Sequence, residues 1–463
     1  MTQQTQPPRP RRATLAELRE EAIRDHHAGA LDKARAKYRL YLARAPEDAA
    51  IWTNLGALHR SQKDYPAAVA CQRKAVELKP DGIDFLNNLG NALFDNGELD
   101  EALELRLRVA AAQPDRATPL QYVATSLRAL NRNAEAIEVC ERGLALEPDH
   151  NELKLQRALA ELALGDYPRG FVSFEARWQG DEISKPEFPE PEWDGSDPAG
   201  RTLLVMPEQG FGDTVLMARF LPWLKARGAR VLLACKTPLM RLFDGLEGVD
   251  GLLEIGSRKP PIDGWVSMMS LPRHLGLSME NLPPPARLTV PEDSRERAKM
   301  ILAPFARRLK VGVLWSGSVT YRANHKRSFS QDMFYRLAAI PGLQLFSLYK
   351  GPLHSEFQSS GLASVVIDAS GSDRDFADTA ALIEGLDLVV SMDSAVVHVA
   401  GSLGAPVWNL LHFSAYWLYG PFPDHTPWYP SMRLIRQPAP DDWDSVFDRV
   451  AAELGEMAGR TAG

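Results

Sequence analysis

Cysteine is scarce, with three in 463 residues: Cys71, Cys140 and Cys235. They stand far apart with no CxxC spacing, which argues against a disulfide framework or a structural zinc site and makes a reducing cytoplasm the expected setting. Long apolar runs are absent as well. None approaches the 18 residues of a membrane-crossing helix, so no span is expected. Positive charge is not in excess: the formal net charge is -7, which argues against a dedicated nucleic-acid binder. The opening MTQQTQPPRPRR has basic residues but no apolar core behind them, so it is not a secretory signal. Residues 1–14 read as a disordered tail. What remains is 45% apolar and 24% charged, a globular composition. The chain is too long for one core, so two or three domains are expected.

The first third is periodic. Pro46, Pro80, Pro114 and Pro148 are each 34 residues apart, and so are Ala34, Ala68, Ala102 and Ala136. Leu55-Gly56 and Leu89-Gly90 recur in the same register, with Ala124 in the third; Trp52, Leu86 and Leu120 share another. This is the tetratricopeptide pattern. Small residues let paired helices approach, and proline ends the second helix of each pair. Residues 15–48, 49–82, 83–116 and 117–150 are four repeats, and a capping helical pair is expected at about 151–180, closing a repeat domain over 15–182. Such arrays present a concave face to a peptide or protein partner; a rigid spacer or a dimerisation arm is the plainer reading. Asn54, Asn87 and Asn88 lie on first helices, where asparagines could hold an acceptor's backbone.

Residues 183–200 form a proline-rich, acidic linker or strap, expected to be anchored by Trp193. From residue 201 strands and helices alternate. Strands are expected at 202–206, 230–234, 251–255, 265–269, 310–315, 343–348, 365–368, 388–392 and 407–411. Helices are expected at 214–226, 239–243, 294–305, 331–339, 377–385, 395–403 and 441–457. Two parallel α/β series joined by a crossover fit two Rossmann-like domains, 201–290 and 291–440, facing one cleft, followed by a C-terminal helix and tail at 441–463.

Ligands of open α/β sheets bind at the carboxyl ends of strands, so the polar groups there are the candidates. The first series turns through Gln209-Gly210-Phe211-Gly212-Asp213. Two glycines permit close approach of a ligand, but the third glycine of a dinucleotide fingerprint is missing. Asp213 is either a first-turn acid or a general base. In the second series Ser316 sits at a strand end, before a loop over 320–329 with Arg322, His325, Lys326 and Arg327, cations suited to a phosphate. Lys350 ends another strand. Residues 387–411 form a strand–turn–helix–turn–strand unit, with Asp393, Ser394 and Ala395 at the helix start and His398 one turn in. A helix N-terminus at that edge suits an anion. Trp417 and Trp428-Tyr429 could stack on a base or sugar, or pack the hinge.

The run Asp393-Ser394-Ala395-x-x-His398-x-Ala400-Gly401-x-x-Gly404-x-Pro406 resembles the C-terminal signature of heptosyltransferase-like glycosyltransferases of the GT-B fold. Gln209–Asp213 resembles their N-terminal loop. Ser347–Pro352, residues 375–380 and residues 427–433 look like bacterial tetratricopeptide-repeat glycosyltransferases, and among these like flagellin glycosyltransferases. The resemblance covers nearly all of residues 15–440. It implies an inverting, metal-independent enzyme with no bound cofactor. The enzyme would move a sugar, a nonulosonic acid such as pseudaminic or legionaminic acid, from a nucleotide donor (a CMP-nonulosonic acid) to Ser or Thr of flagellin held by the repeats. By the same resemblance Asp213 takes the place of the base. Gln209, Gly210, Gly212, Ser316, Lys326, Arg327, Lys350, Asp393, Ser394, Ala395 and His398 take the donor side, with Lys326 or Arg327 neutralising the leaving nucleotide. Relatives often carry Thr where this chain has Ser394. The alternatives are an O-linked N-acetylglucosamine-type or lipid or polysaccharide transferase, or a non-catalytic repeat scaffold with a degenerate GT-B body.

Overall fold

A computed structural model describes residues 14–180, 183–319, 321 and 323–461. The tail expected over residues 1–14 lies outside them except for Thr14, as do Thr320 and Arg322 of the cation loop and residues 462 and 463. The chain divides into two compact units, Met1–Leu153 and Lys154–Gly463.

The first unit is built of helical pairs. Each 34-residue repeat holds two helices: Leu15–His27 with Leu31–Leu42, Ala49–Ser61 with Tyr65–Leu78, Ile83–Asp95 with Leu99–Ala112, and Ala117–Ala129 with Asn133–Leu146. Ala34, Ala68, Ala102 and Ala136 are all 0% exposed, because the helices cross there and no larger side chain fits. A Cβ on Gly56 would lie 2.6 Å from Gln72 Nε2, so the repeated glycine is a point of helix contact. The four prolines stand exposed in the connections between pairs. Thr14 and Glu17 close a capping box on the first helix, each side chain accepting from the other's backbone N–H.

The second unit starts inside the helix Asn151–Ala163. Ala158, Leu162, Tyr167, Phe171 and Phe174 belong to the same core as the two sheets. The boundary of compact units at 153/154 falls within the expected repeat domain over 15–182, because the apolar face of the closing helices is buried against α/β elements.

One sheet contains β1 (Thr202–Met206), β2 (Arg230–Cys235), β3 (Gly251–Glu254) and β4 (Gly264–Ser267), all parallel, in the order β3-β2-β1-β4. The strap extends its edge. Trp193 N–H donates to the Trp265 carbonyl at 2.7 Å, Trp265 N–H donates to that of Pro191 at 3.1 Å, and the Trp193 ring is buried. The second sheet contains β5 (Leu309–Leu314), β6 (Leu343–Ser347), β7 (Val366–Asp368), β8 (Leu388–Met392), β9 (Val407–Leu411), β10 (His425–Thr426) and β11 (Tyr429–Arg436), ordered β10-β11-β9-β8-β5-β6-β7. All its pairings are parallel except that of β10 with β11.

Some elements differ from expectation. The strands β10 and β11 were not anticipated, since Pro430 removes a backbone donor early in the run. The helix expected over 214–226 is two pieces, Phe211–Met217 and Leu221–Ala226, joined by a 3₁₀ turn, with Pro222 in the first turn of the second piece. The expected helix at 331–339 is a 3₁₀ turn followed by Tyr335–Ala338. The C-terminal helix, Trp443–Thr461, buries Val446, Phe447, Val450 and Leu454 in the common core.

Candidate active site

The carboxyl ends of β1 and β8 feed two helices whose starts meet. At the end of β1 the chain turns through Gln209, which has φ +60°. A non-glycine residue in the left-handed region is costly, and such strain gathers at functional turns. Lys236 Nζ holds the Gln209 carbonyl at 2.7 Å. Gly210 is the N-cap of the helix Phe211–Met217, and its N–H donates to Asp213 Oδ2 at 3.0 Å. Asp213 thus fills the first-turn role read from the sequence, while its other oxygen is reached by the Tyr416 hydroxyl at 3.4 Å.

At the end of β8, Ser394 is the N-cap of the helix Ala395–Ser402, but neither Ser394 nor Asp393 caps it with a side chain. The Ser394 hydroxyl lies 3.2 Å from that of Ser391. Gly212 explains how the two helix starts can touch. A Cβ there would lie 2.8 Å from His398 Cδ2 and 3.2 Å from Ala395 Cα. Asp393 takes a hydrogen bond from the Tyr419 hydroxyl at 3.2 Å. Two tyrosines of one segment therefore serve two carboxylates, one from each sheet.

Electrostatics tie these groups together. Burial pushes the Asp393 carboxyl up to about 6; Arg327 opposes the rise, and the charge of Asp213 adds to it. Burial also raises Asp213, again opposed by its hydrogen bond from Gly210 and by Arg327. Burial, with Asp213 and Asp393 nearby, holds the Tyr416 phenol far above its ordinary range, so it stays a donor. Arg327 is the cation that both carboxylates feel. It is braced by Asn324 Oδ1 at 3.2 Å and lies over the Tyr321 ring at 4.7 Å. Lys326 is felt by His412 instead.

The other candidates take their places around this corner or in the core. His398 is 5% exposed, its Nδ1 is 3.2 Å from the Tyr429 hydroxyl, and burial with Arg219 and Arg327 nearby lowers its pKa to about 3. It is a neutral packing group behind the corner, with little surface to offer a donor. Lys350 donates to the Asp373 carbonyl, and Ser316 is buried under Asn324 and Ser328, so both brace loops. Trp417 and Trp428 are core residues: Trp428 Nε1 donates to the Tyr167 hydroxyl at 2.8 Å, and Trp417 packs edge-on to Phe171. Sequence reasoning passed over Tyr416, Tyr419 and Arg219. Arg219 is buried and donates to the carbonyls of Leu216 and Trp428 at 3.0 and 2.9 Å, fastening the segment before β11 to the helix that follows β1. The signal for the tyrosines was their flanking of Trp417.

In the repeat unit, Asn54 and Asn88 are one period apart and half-buried. The Asn54 side chain hydrogen-bonds to Tyr38. Asn87 is one residue from Asn88 on the helix Ile83–Asp95, turned by about 100°, so the two do not extend one row.

The first unit thus carries tetratricopeptide repeats, and the second is an α/β unit with mainly parallel sheets. Models of the TPR repeat and the tetratricopeptide repeat match residues 58–97 and 124–183. The chain is similar to Protein FlbA of Caulobacter vibrioides, 27% identical over 459 residues covering 91% of this chain and 75% of FlbA. A shorter likeness, 28% over 94 residues, is to the small glutamine-rich tetratricopeptide repeat-containing protein 2 of Mycosarcoma maydis and covers 20% of this chain and 27% of that protein. Among solved structures, a MamA chain is 19% identical with a TM-score of 0.32, covering 36% of this chain and 95% of that one. Among the described residues, no helix is long and apolar enough to cross a membrane.

Proposed function

We propose that the chain is a protein O-glycosyltransferase of the GT-B type, moving a sugar from a nucleotide donor to a Ser or Thr hydroxyl with inversion. The observation that carries the reading is the meeting of two carboxylates, Asp213 and Asp393, at the carboxyl ends of two parallel sheets, with Arg327 felt by both. In-line displacement needs a base on the incoming hydroxyl and positive potential on the leaving phosphate. Asp213 accepts the proton of the acceptor hydroxyl. The side-chain-uncapped start of the helix Ala395–Ser402 and the guanidinium of Arg327 take the developing charge of the nucleotide. Asp393 holds a hydroxyl of the sugar.

The repeats bring the polypeptide to the cleft. The acceptor we propose is flagellin, and the donor a CMP-activated nonulosonic acid. The resemblance to flagellin glycosyltransferases supports this, as does the similarity to Protein FlbA, which runs through both units of the chain. The test is incubation of the purified chain with flagellin and a panel of CMP-, UDP- and ADP-sugars, followed by weighing the flagellin. A mass gain with one donor supports the reading, and no gain with any donor counts against it.

A further inference from the structure

The carboxyl edge of the second sheet holds one polar side chain that the proposed reaction leaves unused. His412 follows β9 directly. Its neighbours in the chain are pinned: the Leu411 carbonyl accepts from the Gln437 N–H at 2.9 Å, and the Phe413 N–H donates to Gln437 Oε1 at 3.0 Å. Met392 stands opposite Leu410 in the register of β8 and β9, so Asp393, the next residue after β8, reaches the same edge one strand away. The His412 imidazole is half-buried, and neither ring nitrogen has a hydrogen-bond partner among the described residues.

The surroundings of this ring are cationic. The charges that reach it are those of Lys326, Arg436 and Arg327. Lys326 and Arg327 belong to the short helix Asn324–Arg327 after β5, and Arg436 ends β11, opposite Leu411. All three are half-buried. Arg436 donates to the carbonyls of Tyr419 and Phe413 at 2.9 and 3.5 Å, and Arg327 to Asn324 Oδ1 at 3.2 Å. Among the described residues neither arginine makes an ion pair with a carboxylate, although charges withdrawn from water are ordinarily paired. Arg327 is also felt by Asp213 and Asp393, so His412 and the two carboxylates share one cation. Burial and the three positive charges push the imidazole down to about 4. Near pH 7 it is neutral and offers one N–H and one lone pair. An anion is the partner this corner favours, and a neutral N–H binds it without adding to the repulsion among the cations.

We infer that His412 is a donor-binding residue, giving its imidazole N–H to a phosphate oxygen of the nucleotide in a cationic corner completed by Arg436. The inference rests on the reading that the donor is a nucleotide sugar. It seats the leaving phosphate between two neighbouring strand ends, with the helix start after β8 on one side, His412 after β9 on the other, and Arg327 as the shared cation.

The test is calorimetric binding of CMP and of UDP to the full chain, as native, His412→Gln and His412→Phe. Glutamine keeps a neutral N–H donor, whereas phenylalanine keeps only the ring. His412→Phe should weaken binding of whichever nucleotide the native chain takes by about tenfold or more, and His412→Gln should retain most of the affinity. A role confined to packing gives the reverse order, because phenylalanine replaces the bulk of the ring better. If His412→Phe folds poorly, the native chain labelled with ¹⁵N-histidine is titrated with the same nucleotide; the imidazole signal missing from His412→Gln should move. Equal affinity of native and His412→Phe, or an unmoved signal, overturns the His412 assignment and leaves sugar transfer standing. Weakened binding in His412→Phe without sugar transfer to flagellin overturns the proposed reaction and leaves His412 as a nucleotide contact. Binding of neither nucleotide by the native chain overturns both.

Discussion

Gly212 and His398 touch across the junction of the two sheets' helices: a Cβ on the glycine would lie 2.8 Å from the imidazole Cδ2. The contact fixes the separation of the turns that carry Asp213 and Asp393. Gly212→Ala should destabilise the second unit by about 1–3 kcal/mol, as overpacking does. His398→Ala should partly relieve the clash, so the double variant should be more stable than the sum of the singles predicts. Some cost persists because Ala395 Cα would still be 3.2 Å from the new methyl. Denaturant midpoints of the three variants check this.

Asp213→Asn keeps an oxygen for the Gly210 N–H, turns its NH2 to the Tyr416 hydroxyl oxygen, which can accept from it, and removes the base. Transfer should fall by about 10²- to 10⁴-fold, the usual worth of a positioned general base, with the melting temperature little changed. Initial rates at saturating donor provide the measurement.

Both carboxylates must be ionised in the proposed reaction, and burial raises both, Asp393 to about 6. The rate, as kcat/KM, should therefore fall as pH drops through about 6. Arg327 lowers both values, so Arg327→Gln should move this acid limb to higher pH as well as lowering the plateau. A limb that stayed in place would separate Arg327 from the carboxylates.

His398 is neutral in the fold, with its pKa lowered from 6.5 to about 3. Between these values the unfolded chain holds a proton that the native chain lacks. Its share of stability is present above pH 6.5 and is lost as pH falls, by up to about 1.4 kcal/mol per pH unit. Between pH 7 and 5 the native chain should lose more stability than His398→Asn, measured by denaturant unfolding at each pH.

The buried pair Arg177–Glu208 links the 3₁₀ helix Phe174–Gln179 to the turn after β1. Arg177→Met strands a buried carboxylate and should cost about 3–5 kcal/mol; replacing both partners with apolar residues should cost much less. Unfolding of the single and double variants tests the difference.

Where local chemistry decides, the sequence was informative. The 34-residue spacing of Ala34, Ala68, Ala102 and Ala136 could only be a recurring helix crossing, and all four are fully buried. Leu388–Met392 and Val407–Leu411 are apolar runs cut by polar or proline stops, and they are strands. What was not legible depends on partners distant in sequence. Tyr429–Arg436 is a strand because β9 lies beside it, although Pro430 argues locally against one. Lys350 looked like an open cation at a strand end, yet its ammonium meets a carbonyl 23 residues away. His398 looked poised for a ligand because the glycine that covers it is 186 residues upstream. Tyr416 and Tyr419 carried no motif; only the meeting of two lobes gives each a carboxylate.

The central claim is sugar transfer to flagellin by this cleft. Its most direct test is the intact mass of flagellin from cells of the chain's own source in which the gene is deleted, restored as native, or restored as Asp213→Asn. The account predicts heavier flagellin, by whole sugar units, only with the native gene. Equal masses in all three strains would contradict it.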